Sequence, residues 1–351
     1  MSGSAFTFLA RGAIIQHFEI AGIDIVQGFP TTELYDKHNG PYFGETIGRF
    51  ANRIAGASIQ VPGGLNGKDA YPLAANNGPN ALHGGHSGWG SKTWDGPTPV
   101  GVRQAIPGFA PGDLTTGGES VQFTLVSPDG DEGYPGTVKA TVTYSVGKQP
   151  LAGSAGEATV LVIEYEAELI DGADETVINM TNHSYFNLGG APTIEGTVVE
   201  LGASKYLPID DGGIPTALVP AVFPKIQANV PFTLGAVEPN VDDCFVVRDA
   251  ADAKHIDTRA LPLNRHLAAH HPDTGIHLEV YSTEPAFQFY TGKFIDVPAV
   301  GGLPARGNRA GFCVEPSRYV NAPNVEAWKD MAVLKKGEKY GARIVYRAWK
   351  A

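Results

Sequence analysis

The sequence is short of charge, of cysteine and of helical periodicity, and each shortage narrows what the chain can be. Charged side chains are only 18% of its 351 residues, against 42% hydrophobic ones. That balance suits a compact body with a sizeable core and not a disordered chain. The 26 basic groups are outnumbered by 37 acidic ones, giving a net charge of −11, and no Lys/Arg-rich block occurs. Nucleic acid and anionic membrane surfaces are disfavoured as partners, because phosphate binding needs a basic footprint. A small neutral molecule suits this balance. Cysteine occurs only as Cys244 and Cys313, which excludes a secreted disulfide scaffold but leaves one bridge open. No run of about 18 apolar residues is present. The N-terminal stretch has no basic leader followed by an unbroken apolar core, so a cytosolic address is expected.

What the chain does have is period two. Val121–Val126, Val138–Tyr144, Val160–Leu169, Thr176–Thr181, Ile276–Ser282, Ala286–Tyr290 and Arg343–Ala348 alternate and are rich in Val, Ile, Thr and Tyr. Most are bounded by turn residues, as half-buried strands are. Glycine and proline, 44 and 26 residues, supply many turns and leave little room for helices. Two short helices are expected, Thr32–His38 and Val325–Leu334. The stretches 101–118 and 298–307 read as loops between strands and not as linkers. With no internal repeat to suggest a propeller, residues 1–351 are expected to form a single all-β domain, a large sandwich or barrel.

Four clusters place ionisable groups where a plain strand or turn has no need of them. Gly48–Ile54 sets Arg49 and Arg53 around Asn52; these are donors for ligand hydroxyls or, more plainly, a structural ion-pair site. Leu82–Trp89 sets His83 before two glycines that permit close backbone approach. His83 and His86 are spaced as a metal pair, but no third ligand has recognisable spacing; the plainer reading is a surface loop. Asn179–Leu188 carries His183 at a strand end, where neighbours can fix its tautomer for proton transfer, unless it is a core histidine satisfied by backbone. Gly311–Pro316 ends an apolar strand in Glu315, a candidate acid or base or simply a surface carboxylate. Asp242 precedes a short apolar strand, and Gln288 alternates with Phe287 and Phe289. Residues 127–136 read as a hairpin connection. Cys244 and Cys313 lie two residues from Asp242 and Glu315, so both thiols can share the cleft, as packing residues sooner than nucleophiles.

Taken in order, GAIIQ at 12–16, YFGETIGRFANRI at 42–54, LHGG at 82–85, SPDGDEGYPG at 127–136, TNHSYFNL at 181–188, VDDCF at 241–245, QFYTG at 288–292 and GFCVEP at 311–316 resemble the aldose 1-epimerase (galactose mutarotase) family. The resemblance implies a large antiparallel β-sandwich with few short helices, whose open concave face holds one monosaccharide such as galactose or glucose. It implies an isomerase without cofactor or metal, a monomer or weak homodimer. Glu315 matches the catalytic base and His183 the acid. Asn52, Arg53, His83, Asp242 and Gln288 match sugar-binding positions, and His83 also suits polarisation of the ring oxygen. The chain departs from the family pattern at Asp243 and Ser317, near the site. It also departs at Val320–Ala322, Ala217 and Lys336. The departures near the site bear on sugar preference.

In the implied reaction a base takes the anomeric proton while an acid protonates the ring oxygen, one on either side of the reacting centre. The base is expected at a low pKa and the acid at a high one, with Arg53 keeping Glu315 anionic. Trp89 or Tyr185 is expected to cover the apolar face of the sugar. The rival readings are a non-catalytic sugar sensor on the same scaffold, a glycosidase using Asp242 and Glu315 as its carboxylate pair, and a phosphosugar epimerase. The last would want a basic pocket that this acidic chain lacks.

Overall fold

The computed structural model describes residues 5–153 and 155–351. Its frame is two antiparallel sheets. The larger has nine strands in the order Phe232–Thr233, Val198–Leu201, Asn264–His271, Ile276–Ser282, Lys339–Lys350, Glu157–Asp171, Thr137–Pro150, Thr116–Ser127 and Asp95–Val102. The smaller has six, in the order Tyr185–Phe186, Phe312–Ser317, Ala286–Tyr290, Asp242–Val246, Lys205–Tyr206 and Ala221–Val222. Alternation decides which side chains face inward. Val138, Ala140, Val142 and Tyr144 of one long strand share a single apolar cluster with Leu161, Ile163 and Tyr165 of the next. From the smaller sheet, Phe245, Phe287, Phe289, Phe312 and Val314 join the same cluster. The Phe186 ring meets the Tyr346 ring edge-on at 5.2 Å and stitches one sheet to the other. This cluster runs from Phe6 to Ala348, and the architecture is the expected β-sandwich.

The strands lie where the alternation places them, with three departures. Thr176–Thr181 is not one strand. Glu175–Val177 pairs with Val333–Lys335, and Thr181–Asn182 pairs with Thr46–Ile47. Between them Asn179 is held by its side chain, donating from Nδ2 to the Ala51 carbonyl at 2.7 Å and accepting the Arg318 N–H at 2.9 Å. The helix expected over Val325–Leu334 is a 3₁₀ turn, Lys329–Met331, followed by the short strand Val333–Lys335. Trp328 and Met331 are both buried, and their spacing of three suits the tighter turn. The strand that pairs with Glu175–Val177 then claims the rest. The loop at 101–118 is shorter than expected, because the flanking strands reach Val102 and start at Thr116. The helix Thr32–His38 forms as expected. Among the described residues no helix is long and apolar enough to cross a membrane.

Beyond the Glu315 strand, Arg318 and Glu284 form a fully buried ion pair at 3.1 Å. Glu284 also accepts from Thr258 Oγ1 at 2.8 Å, and Arg318 donates to the Ile256 carbonyl at 2.9 Å. Breaking such a pair from one side leaves an uncompensated buried charge. Glu284→Ala is therefore expected to cost about 3–5 kcal/mol in urea denaturation, and the joint replacement Glu284→Leu with Arg318→Met to recover most of it.

Candidate active site

The antiparallel register carries the chemistry to one face of the smaller sheet. Asp242 sits opposite Tyr290, Tyr290 opposite Cys313, and Cys313 opposite Tyr185. In the next row on that face, Cys244 lies opposite Gln288 and Gln288 opposite Glu315. The phenylalanines between these positions point the other way, into the core. Gln288 thus faces away from Phe287 and Phe289, and its Nε2 donates to Asp242 Oδ1 at 2.8 Å. Both cysteines are free and buried. Burial pushes the Cys244 thiol up to about 12 and the Cys313 thiol upward as well, which removes thiolate chemistry at neutral pH.

His183 arrives from the side, on backbone locked to the segment before Thr46. Its N–H donates to the Glu45 carbonyl at 2.9 Å, and its own carbonyl accepts the Gly44 N–H at 3.1 Å. Asn182 reinforces this by donating to the Gly44 carbonyl and accepting from the Ser184 N–H and Tyr346 Oη, each within 3.2 Å. The third wall is the pairing of Arg53–Ile54 with Ala81–Leu82, extended by the His83 N–H donating to the Asn52 carbonyl at 3.0 Å. Arg53 is aimed by two amides, donating from Nη1 to Asn52 Oδ1 at 3.1 Å and from Nε to Asn77 Oδ1 at 3.0 Å.

The two arginines of that motif divide the two readings between them. Arg53 lines the cleft, whereas Arg49 is buried and structural. Arg49 Nη1 donates to the Pro135 and Gly136 carbonyls at 2.8 Å, and its Nη2 to Ser127 Oγ at 2.7 Å. It thereby pins the connection between Thr116–Ser127 and Thr137–Pro150, which does form the expected hairpin link. This link also supports the His83 loop, because Glu132 accepts the His86 and Ser87 N–H groups at 2.9 and 3.1 Å. Trp89 does not cover the cleft. It is buried against Trp94, edge-on at 6.1 Å, where the close approach of Gly48 leaves no room for a Cβ.

The structure brings Asn52, Arg53, His83, His183, Asp242, Gln288 and Glu315 around one cleft of about 350 Å³. At its floor His183 Nε2 lies 3.4 Å from Glu315 Oε1. The His83 ring stands edge-on to His183 at 5.2 Å, and Cys313 Sγ lies 3.5 Å from His183 Nδ1. Burial pushes His183 down to about 4 and His83 well below the usual histidine range. Burial, reinforced by Asp242 and opposed by Arg53, pushes Glu315 well above the usual carboxylate range. This reverses the expected order of a low base and a high acid: desolvation disfavours each charged form more than Arg53 favours one of them. The two groups sit side by side, in direct contact at the cleft floor. His86, the other half of the suspected metal pair, is exposed and does not join His83, His183 and Glu315.

Among the further residues that wall the cleft without having been singled out for it are Tyr42, Asn77, Tyr290 and Phe294. Tyr42, Tyr290 and Phe294, together with Tyr185, make its aromatic lining. Tyr42 stands edge-on to His83 at 4.9 Å and packs on His183 at 5.6 Å. Its backbone is left-handed, with φ +68°, as is that of His83 at +52°; strain of this kind gathers at functional sites. Tyr42 opens the YFGETIGRFANRI stretch, so the motif itself held the signal. Asn77 carried none.

A β-sandwich that lays an imidazole and a carboxylate in a cleft ringed by amide and guanidinium donors has the build of an acid–base site for a small polar molecule. The family model described as "Aldose 1-epimerase" matches residues 2–347, and the chain belongs to that family. It is 36% identical over 322 residues to a galactose mutarotase from Sus scrofa, covering 90% of this chain and 81% of the relative. It is 36% identical over 343 residues to a bifunctional protein GAL10 from Pachysolen tannophilus. It spans less than half the length of that relative and of another GAL10 from Schizosaccharomyces pombe, 44% and 42%. Among solved structures, a GalM/aldose epimerase homologue from C. elegans superposes with a TM-score of 0.76 at 26% identity, covering 99% of this chain and 95% of that one.

The loop that holds His83 depends on glycine at position 84. A Cβ there would lie 2.0 Å from the Gly48 carbonyl oxygen, and φ is +85°. Gly84→Ala is expected to lower stability by about 1–3 kcal/mol in thermal denaturation, because rigid backbone must give way.

Proposed function

We propose that this protein is an aldose 1-epimerase, interconverting the α and β anomers of a free aldose such as galactose or glucose by opening and closing the hemiacetal ring. The observation that carries this is the contact between His183 Nε2 and Glu315 Oε1, at 3.4 Å on the floor of a cleft lined with hydrogen-bonding groups. The anomeric oxygen and the ring oxygen are bonded to the same carbon. A base and an acid placed side by side can therefore serve both atoms at once. Glu315 takes the anomeric proton, and His183 gives its proton to the ring oxygen. The ring C–O bond breaks and the aldehyde carbonyl forms. The aldehyde turns about its bond to the next carbon, and closure runs the two transfers backward onto the other face.

The proton count favours this arrangement. The pair holds one proton throughout, on the imidazole before ring opening and on the carboxyl after it. Burial favours the uncharged arrangement, neutral His183 beside protonated Glu315, and that is the state paired with the open-chain sugar. Ring opening thus discharges a buried ion pair. Arg53 supports the carboxylate form that begins the cycle. Asn52, Asp242 and Gln288 suit binding of sugar hydroxyls, and a site built to bond hydroxyls rejects an epimer that leaves its groups unpaired. His83 suits contact with the ring oxygen. We place residues 1–351 in a single domain, supported by the one apolar cluster that runs from Phe6 to Ala348. We assign that domain to the cytosol as a monomer or weak homodimer.

Polarimetry on freshly dissolved α-glucose and α-galactose tests the two roles. Glu315→Gln and His183→Asn should each lower kcat by roughly 10²–10⁴-fold, with much smaller changes in KM because the hydroxyl-binding groups remain. Retention of near-native rates by either variant overturns the assignment. The pH profile of kcat/KM should be a bell. Activity falls on the acid side as a second proton enters the pair, near His183's value of about 4. It falls on the alkaline side as the last proton leaves through the raised pKa of Glu315. An acid limb that stays at the ordinary histidine value would contradict the desolvated pair.

A further inference from the structure

The cleft floor holds a donor set that proton transfer alone does not require. His83, His183 and Glu315 each offer one ligand atom, and these atoms lie within 4.8 Å of one another. Two of them, His183 Nε2 and Glu315 Oε1, are already 3.4 Å apart. Two ligands bonded to one tetrahedral zinc at roughly 2.0–2.1 Å sit about 3.3 Å from each other. All three side chains are more than nine-tenths buried, and Nδ1 of His83 has no hydrogen-bond partner. His83 lies just past the strand Ala81–Leu82, so bringing its ring onto the ion asks for side-chain rotation and not for movement of a sheet.

We propose that His83, His183 and Glu315 form a binding site for a zinc-class divalent ion, and that its occupation blocks the cleft to sugar. Two imidazoles and a carboxylate select such an ion over calcium or magnesium, which take mostly oxygen ligands and more of them. Three protein ligands leave a fourth position facing the open cleft, the arrangement of an exchangeable site. Asp242 beside it and the net charge of −11 draw cations inward. Ligation occupies the lone pairs that His183 and Glu315 use on the sugar, so metal and sugar exclude one another. The inhibitory consequence rests on the proposed epimerase reading; the metal binding does not.

Cobalt(II) serves as the visible probe. Added to the intact protein, it should give the ligand-field bands of a tetrahedral site at one ion per chain, and saturating galactose should erase them. Zinc should inhibit anomerisation competitively with the sugar, and EDTA should restore the rate. His83→Ala, with folding checked by circular dichroism, should weaken cobalt binding and zinc inhibition at least ~tenfold. His83→Gln is read in the same way if the alanine variant misfolds. His86→Ala, on the exposed part of the same loop, should change neither. Undiminished cobalt binding in the His83 variants overturns the proposal. So does a near-ultraviolet thiolate-to-metal band that disappears in Cys313→Ser, since the ion would then sit on the thiol. Cobalt bands in a protein without anomerisation activity keep the metal site and reject the epimerase reading. Activity with neither bands nor zinc inhibition does the reverse.

Discussion

Desolvation of an imidazole and a carboxylate in direct contact sets the electrostatics of this cleft. In water the two groups would separate charge at neutral pH, with the carboxylate ionised and the imidazole partly protonated. Here burial pushes His183 down and Glu315 up, so the uncharged arrangement is the resting one. An acid and a base tuned far apart would be stable as an ion pair and reluctant to exchange protons. A pair kept out of water instead favours the proton on the carboxyl, which under the proposed reaction is the state that ring closure starts from in a reversible isomerisation. It must donate and accept at the same two atoms in both directions. Under the proposed reaction, the sugar supplies the hydrogen bonds that make the charged arrangement reachable, and ring opening removes the charge again.

Holding such a pair requires a frame that does not relax around it. Each of the two groups is fixed by a different device. Glu315 is fixed by register: its strand pairs residue for residue with Ala286–Tyr290, which pairs in turn with Asp242–Val246. A one-residue slip would turn Glu315 toward the core and a phenylalanine or valine toward the cleft. His183 is fixed by backbone bonds to Gly44 and Glu45 and by the amide of Asn182. Asn179 Oδ1 then accepts the Arg318 N–H just beyond the Glu315 strand, joining the two supports. The Arg318–Glu284 pair below is fully buried. Losing either partner would leave the other charge buried and unpaired just beside the Glu315 strand.

The sequence made the long strands legible because each buries one face and so alternates cleanly, as Thr137–Pro150 does. Period-two spacing showed only that Gln288 faces away from its flanking phenylalanines and that each cysteine shares a face with its neighbouring carboxylate; Glu315, Gln288 and Asp242 were legible as a set only through the family resemblance. His83 and Asn52 were visible as types, but their meeting was not. It depends on a two-residue ladder, Arg53–Ile54 with Ala81–Leu82, too short to leave a pattern. The split between Arg49 and Arg53 was likewise invisible, since both are arginines in one apolar stretch and only the partners distinguish them. Trp89 was misplaced because an aromatic beside a histidine-glycine loop suits a sugar face and a core equally well. The pKa order was misread for a deeper reason: burial is a property of the assembled cleft, and no residue near Glu315 in the chain encodes it.

The same register bears on which departures from the family pattern matter. Asp243 pairs with Phe289 on the face opposite Asp242, outside the cleft lining, so the departure there does not alter the cleft wall. Its half-buried carboxyl is raised by burial and by Asp242. Ser317 pairs with Ala286 two residues beyond Glu315. It lies on the Glu315 face but one row away from the cleft, outside its lining. Neither substitution changes a group positioned to bond a hydroxyl. Sugar preference under the proposed reading is therefore set by Asn52, Asp242 and Gln288, and by the aromatic wall of Tyr42, Tyr185, Tyr290 and Phe294. Phe294, with 73% of its surface exposed, is the one member of that wall free to meet a substituent that projects beyond a single ring.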